Sequence, residues 1–276
     1  MQAGEIAAAT QIIQTIAPVL NQQGQRDLSR ELLQRMLSAS DSGPSTGNEV
    51  ESFVRLKLEE GPLSTALDVY EDVYQSLDPD EAGVQRAYVL LRAGNVKQRL
   101  SDPDAAIENY TQALRIAREE KNREAEAECL YQLSTAHREI NNLRQALVCS
   151  QAAKEHYEAL AYPNNLAIVE REQGLVLEQM DRPESALERF AASLQICRQL
   201  GDRRCIADNL TDIGRLFEKM GKTEMAIQVI EEALQHYEYL RNPEHGKILS
   251  LLEELYAHKQ RLDKAVTRLR ASKRGT

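Results

Sequence analysis

The chain has 276 residues, with 34 Lys and Arg against 43 Asp and Glu, a formal charge of -9, no Trp and four Cys. This acidic balance argues against a surface that coats nucleic acid, which needs an extended face of surplus cations, and four Cys in so long a chain cannot make a disulfide scaffold. No apolar run approaches the roughly 18–20 residues of a membrane span, and the opening MQAGEIAAATQ lacks the basic segment and apolar core of a secretory leader, so a cytoplasmic chain is expected.

Few Gly and Pro, with abundant Ala, Leu, Glu, Gln and Arg, suit helices rather than sheets. Apolar spacing predicts helices over 6–20 and 26–37, a divergent N-terminal hairpin within residues 1–38. Residues 39–48, ASDSGPSTGN, are the one Ser/Gly/Pro-rich stretch and read as a flexible loop, more simply a connection than a hinge or regulatory segment.

From residue 49 to 271 the chain repeats itself at an offset of 40. Ala66, Ala106, Ala146, Ala186 and Ala226 coincide, followed four residues later by Tyr70, Tyr110, Ser150, Phe190 and Ile230. Three beyond those stand Val73, Ala113, Ala153, Ser193 and Ala233. Twelve before each Ala come Val54, Gly94, Ser134, Gly174 and Gly214, mostly small, and five before come Gly61, Ser101, Asn141, Asp181 and Gly221, which suit turns or caps. Within one period, Ile206, Leu210, Ile213, Leu216, Phe217 and Met220 form one helical stripe, and Met225, Ala226, Val229, Ile230, Ala233, Leu234 and Tyr237 form another. Each period is therefore expected to be an antiparallel helical hairpin, with Pro103 and Pro183 near the start of second helices. Lys121-Asn122, Tyr162-Pro163-Asn164, Gly201-Asp202 and Asn242-Pro243 punctuate the boundaries. A sixth copy, one residue shorter, places Ala265 in register and Gln260 at the turn, and residues 272–276 read as a basic tail.

One hairpin cannot bury its apolar stripe alone, so neighbours must stack. The expectation is an all-α, right-handed superhelical solenoid of about seven antiparallel hairpins, about six of them within 49–271. Gly94, Gly174 and Gly214 are expected to face the marked Ala across each hairpin, with Tyr110, Phe190 or Ile230 filling the space beside them.

The order of small residue, large residue, Ala, large residue and Ala at these spacings resembles the tetratricopeptide repeat (TPR), over roughly residues 49–271. The 40-residue period is similar to that of kinesin light chains, the spindle adaptor LGN and some bacterial regulators. Two departures exist: Val50, Leu90, Leu130, Glu170 and Leu210 replace the family's frequent first-helix Trp, and its late Pro is missing from most copies. The resemblance implies a non-catalytic protein-protein interaction module or adaptor, whose first helices line a concave groove for a partner peptide or helix.

Carrying the family's groove positions onto this chain implies Tyr88, Leu91, Asn95 and Gln98; Glu128, Tyr131, Thr135 and Arg138; Ile168, Arg171, Leu175 and Glu178; and Asp208, Thr211, Arg215 and Glu218. The partner-binding set expected from these is Tyr88, Leu91, Asn95, Tyr131, Thr135, Arg138, Ile168, Arg171, Leu175, Arg215 and Glu218. Aromatic and aliphatic members offer contact area, while Arg138, Arg171 and Arg215 from successive hairpins suit an acidic segment. The competing reading pairs these arginines with Glu178, Glu218 and other nearby acids. Family members that clamp the C-terminal carboxylate of chaperones use Lys and Asn, and here Leu91 stands where the first Lys is needed, with Asn95 alone in place.

No HExxH, CxxC, GxxxxGK[ST] or GxSxG occurs, so no catalytic residue, metal site or cofactor is expected. Carboxylates read as solvated surface. Cys129, Cys149 and Cys197 read as small apolar residues within helices, and a redox or ligand role for the Cys197 and Cys205 pair is the weaker reading. The cations from Arg261 to Arg274 read as a solvating end helix rather than a membrane-attracting tail. The alternative function is a ligand-gated regulator that senses a short peptide or small molecule and acts through a partner protein. A third reading is self-association through the N-terminal hairpin or an unfinished end.

Overall fold

The computed structural model describes residues 63–78, 82–240 and 245–274. The N-terminal hairpin expected within 1–38, the 39–48 loop and the start of the first repeat lie outside the described residues. Among those described there are ten helices and no strand: α1 Leu63–Ser76, α2 Gly83–Arg99, α3 Pro103–Glu119, α4 Arg123–Glu139, α5 Leu143–Leu160, α6 Pro163–Gln179, α7 Pro183–Leu200, α8 Arg203–Lys219, α9 Thr223–Tyr239 and α10 His245–Arg274. The chain divides into two compact units, 1–142 and 143–276. In the first, α1 packs on α2, α2 on α3 and α3 on α4, and in the second each helix from α5 to α10 packs on the next. Neighbour-to-neighbour packing is the arrangement of a TPR-like solenoid of stacked hairpins.

The turns obey a rule twice as fine as the repeat. Ser101, Lys121, Asn141, Ala161, Asp181, Gly201 and Gly221, one every twenty residues, all take positive φ, between 54 and 72°. Each closes the preceding helix with the same two bonds. The Ser101 N–H donates to the Gln98 carbonyl and the Asp102 N–H to the Lys97 carbonyl, and this pair recurs at the other six turns. It satisfies two carbonyls that a helix end would otherwise leave open. The next helix starts at once: Asp102, Asn122 and Asp202 accept backbone N–H bonds as N-caps of α3, α4 and α8, while α3, α6 and α7 open on Pro.

The core follows the repeated stripe. Ala106, Ala146, Ala186 and Ala226 are inaccessible to solvent, as are Tyr110, Ser150, Phe190 and Ile230. The small first-helix residue makes room for the large residue of its own hairpin, as the repeat pattern leads one to expect. A Cβ added at Gly94 would stand 2.4 Å from Tyr110, at Gly174 2.5 Å from Phe190, and at Gly214 2.4 Å from Ile230. Glycine is thus the socket for the large residue of its own hairpin, and at Gly214 the added Cβ would also lie 3.6 Å from the carbonyl of the marked Ala226. In the second unit Phe190, Leu210, Leu216, Ile230 and Tyr237 join one cluster with Ile248, Leu252 and Leu255 of α10.

The sixth hairpin does not form as expected. α10 is a single 30-residue helix that runs through Gln260 without a turn and ends at Arg274, inside the stretch read as a tail. Between Leu251 and Arg270 there is no Gly, Pro or Asn, so nothing in that stretch favours left-handed backbone.

Candidate partner-binding faces

The first helices are α2 and α4 in the first unit and α6 and α8 in the second. Residues expected to line a groove fall into three kinds. Leu91 is wholly buried, because it shares a helical stripe with buried Ala87 and Gly94, four residues before and three after it, and so it offers no contact surface. Thr135 is buried as well, with its hydroxyl donating to the Gln132 carbonyl at 2.8 Å, and Leu175 packs half-buried against the core cluster. Tyr88, Asn95, Tyr131, Arg138, Arg171 and Glu218 are half-buried. Ile168, 46% exposed, and Arg215 are the members most open to solvent.

Many polar groups on these faces serve the protein itself. In the first unit the Arg92 guanidinium reaches Glu128 at 2.9 Å, and Gln98 Nε2 donates to Glu139 at 2.7 Å and to Thr135 Oγ1 at 3.3 Å, so α2 is tied to α4. From below, the hydroxyl of Tyr110 lies 2.7 Å from Asn95 Oδ1 and 2.9 Å from Gln98 Oε1, which occupies Asn95. Burial pushes the Tyr110 phenol well above its ordinary range, and the Glu139 charge adds to it, so the group remains a neutral donor.

In the second unit the ties from α6 to α8 are ionic. Arg171 Nε donates to Asp212 Oδ2 at 2.6 Å, and Lys219 pairs with Glu178. The Arg171–Asp212 pair is of the kind the competing reading expects, an arginine held by a nearby acid, whereas Glu178 is taken by Lys219 rather than by an arginine; each partner lies 41 positions away, one place beyond the repeat. Asp212 is buried, and desolvation raises its carboxyl above the usual Asp range although Arg171 and Arg215 pull it down. On the same helix, Asp208 accepts a bond from the Tyr237 hydroxyl at 2.5 Å.

The expectation that carboxylates are solvated fails at several positions. Glu170, which stands at the family's frequent Trp place, is 4% exposed and is held by Lys154 Nζ at 2.7 Å and Arg189 at 3.1 Å. Glu172 is equally buried. The sequence signal for Glu170 was the charge in an otherwise apolar column, Val50, Leu90, Leu130 and Leu210; its partners on α5 and α7 carry no such mark. The Cys pair set aside from sequence is joined: Cys197 and Cys205 form a disulfide, whereas Cys129 and Cys149 are buried thiols.

A cavity of about 310 Å³ opens between α1, α2 and α3, beside Tyr70, Tyr74, Leu90 and Ala93. Two pairs of its polar groups bond to each other, Lys97 Nζ to Asn109 at 3.0 Å and Gln112 Nε2 to the Tyr74 hydroxyl at 2.9 Å. Among the described residues no cluster of three or more His, Cys, Asp or Glu has the arrangement of a metal site, and no helix is long and apolar enough to cross a membrane.

The sequence model of the tetratricopeptide repeat matches residues 85–162 and 165–239, more than half of the chain. No curated protein matches this chain. Solved structures share the fold at low identity. The apo form of RapI is 14% identical with a TM-score of 0.67, covering 82% of this chain and 84% of that one. A Rap protein complexed with competence and sporulation factor is 17% identical with a TM-score of 0.65, covering 96% and 75%. BtubC from P. vanneervenii is 16% identical with a TM-score of 0.64, covering 87% and 93%.

Proposed function

Because the chain belongs to the tetratricopeptide-repeat family, we propose that it is a non-catalytic protein-interaction module that holds a partner segment against its first-helix faces, with the α6–α8 face as the principal contact. The supporting observation is the combination of exposed Ile168 on α6 with exposed Arg215 on α8, beside polar neighbours that are bonded within the protein. An apolar side chain gains by covering Ile168, and a carboxylate gains a charge-assisted bond from Arg215. Arg171 is already engaged by Asp212, so the three-arginine ladder reduces here to one open cation. The preferred partner is a peptide or helix that carries an acidic residue close to an aliphatic one.

The test is affinity capture from cognate lysate with wild type beside Ile168→Glu/Arg215→Glu, after circular dichroism and melting show that both fold alike. A protein retained by wild type and lost by the variant supports the reading and identifies the partner. Equal capture by both overturns the α6–α8 assignment.

One observation favours the alternative of a ligand-gated regulator. The Arg171–Asp212 and Lys219–Glu178 pairs join successive hairpins, so a ligand carboxylate that competes for Arg171 would loosen the tie between α6 and α8. Small-angle scattering with and without a captured peptide distinguishes the two: unchanged dimensions favour simple docking, and a change in compactness favours gating.

A further inference from the structure

Cys197 lies in the last turn of α7 and Cys205 in the first turn of α8, with their Cα atoms 5.7 Å apart across the Gly201–Asp202 turn. That separation is where a disulfide closes without backbone movement. The pair is peculiar to this boundary. Forty residues earlier the same two places hold Tyr157 and Asn165, and eighty residues earlier Ala117 and Ala125. The repeat fold therefore needs no sulfur there.

The surroundings are built around both sulfurs. Asn209, fully buried one turn along α8, donates from Nδ2 to the Cys205 carbonyl at 2.9 Å, and the same nitrogen lies 3.6 Å from Cys197 Sγ and 3.6 Å from Cys205 Sγ. Its Oδ1 is buried without a hydrogen-bond partner among the described residues. An amide N–H directed at two sulfurs stabilises negative charge on either one, which is what thiol–disulfide exchange develops. Accessibility sets the order of events: Cys197 is wholly buried, whereas Cys205 is only half-buried, packed at the edge of the core beside Arg203 and Arg204, with the Asp202 carboxylate capping the same helix end. The other two cysteines are poor competitors. Cys129 and Cys149 are buried, and burial keeps the Cys129 thiol protonated far above its usual range.

We propose that Cys197 and Cys205 form a reversible redox site that exchanges with low-molecular-weight disulfides and staples α7 to α8 when oxidised. In the forward direction the Cys205 thiolate attacks one sulfur of the small disulfide. A mixed disulfide forms and one small thiol leaves. The Cys197 sulfur, having released its proton to solvent, then attacks Cys205 Sγ and expels the second small thiol. The two cysteines lose two electrons and the small disulfide gains them, so the protein ends with one S–S bond and the reagent with two thiols. A dithiol reverses the sequence. Oxidation thereby fixes α7 to the helix that bears Thr211, Asp212 and Arg215.

Trypsin makes the test direct, because cleavage after Arg189, Arg198, Arg204 and Arg215 puts the two cysteines on separate peptides, 190–198 and 205–215. Purified full-length protein is equilibrated, still folded, with oxidised glutathione or with dithiothreitol, alkylated in denaturant and digested. The site predicts a linked 190–198/205–215 pair with oxidised glutathione and both peptides fully alkylated after dithiothreitol. It also predicts a melting midpoint about 5 °C higher in the oxidised sample. Cys205→Ser should abolish that shift, and Cys129→Ser/Cys149→Ser should keep it. Four alkylated cysteines in both samples, a link that persists through dithiothreitol, or a link involving Cys129 or Cys149 would each overturn the proposal.

Discussion

The two units are built from the same hairpin but hold their first helices together differently. In the first unit, α2 meets α4 through the amide of Gln98 and through Arg92–Glu128, whose side chains each remain about a quarter exposed. In the second, α6 meets α8 through an ion pair whose carboxylate, Asp212, is only 8% exposed. Solvent reaches both members of the former, whereas in the latter it reaches Arg171, 35% exposed, and scarcely touches the Asp212 carboxylate. The repeat thus dictates the shape of the hairpin and leaves the chemistry of its seams open to local choice.

The largest effect should come from the feature the units share. Gly94→Leu and Gly174→Leu both drive a side chain into a large ring already within 2.5 Å of the missing Cβ, and each should cost about 3 kcal/mol or more in chemical denaturation. A tolerated change in one unit alone would show that the sockets are not equivalent. Next, Arg171→Ala and Arg92→Ala separate the two seams. Losing Arg171 strands a buried carboxylate near Arg215 and should cost about 2 kcal/mol, whereas losing Arg92 should cost about 0–1 kcal/mol. Equal losses would erase the distinction.

A smaller effect is expected beneath the first seam. Tyr110→Phe reproduces the residue at the matching place in the second unit, Phe190, and removes the donor to Asn95 and Gln98, a change of about 1 kcal/mol. The smallest concerns pH. Asp212 has a raised folded pKa, so the folded chain binds this proton more tightly than the unfolded chain. The contribution is present below the ordinary Asp value and is lost as pH rises through the folded one. Asp212→Asn should flatten that part of the stability profile, measured as the wild-type minus variant difference across the acid range; an unchanged difference would place Asp212 in water.

Much of this was legible because it depends on neighbours in sequence. Ser101, Asn141, Asp181 and Gly221 were marked as turn or cap residues by position and type, and all four take the left-handed conformation. Lys121 and Ala161 do the same without a matching side chain, since a Schellman turn can impose that backbone on residues that do not prefer it. The buried Ala column was equally plain, but the faces were not. Leu91 and Thr135, groove residues by analogy, are buried, and of the two readings of Arg171, open to a partner or paired with a nearby acid, the structure has the pairing, with Asp212.

By itself, the sequence determined the helical hairpins, their 40-residue period and the small-and-large socket, because these arise from 3.6-residue spacing, turn chemistry and side-chain volume within one repeat. Only the tertiary structure decided which charges are buried, which cysteines meet, and where the last helix fails to turn. Those outcomes depend on residues from different helices arriving within 3 or 4 Å of one another and on how much water their packing excludes, and no single helix records either quantity.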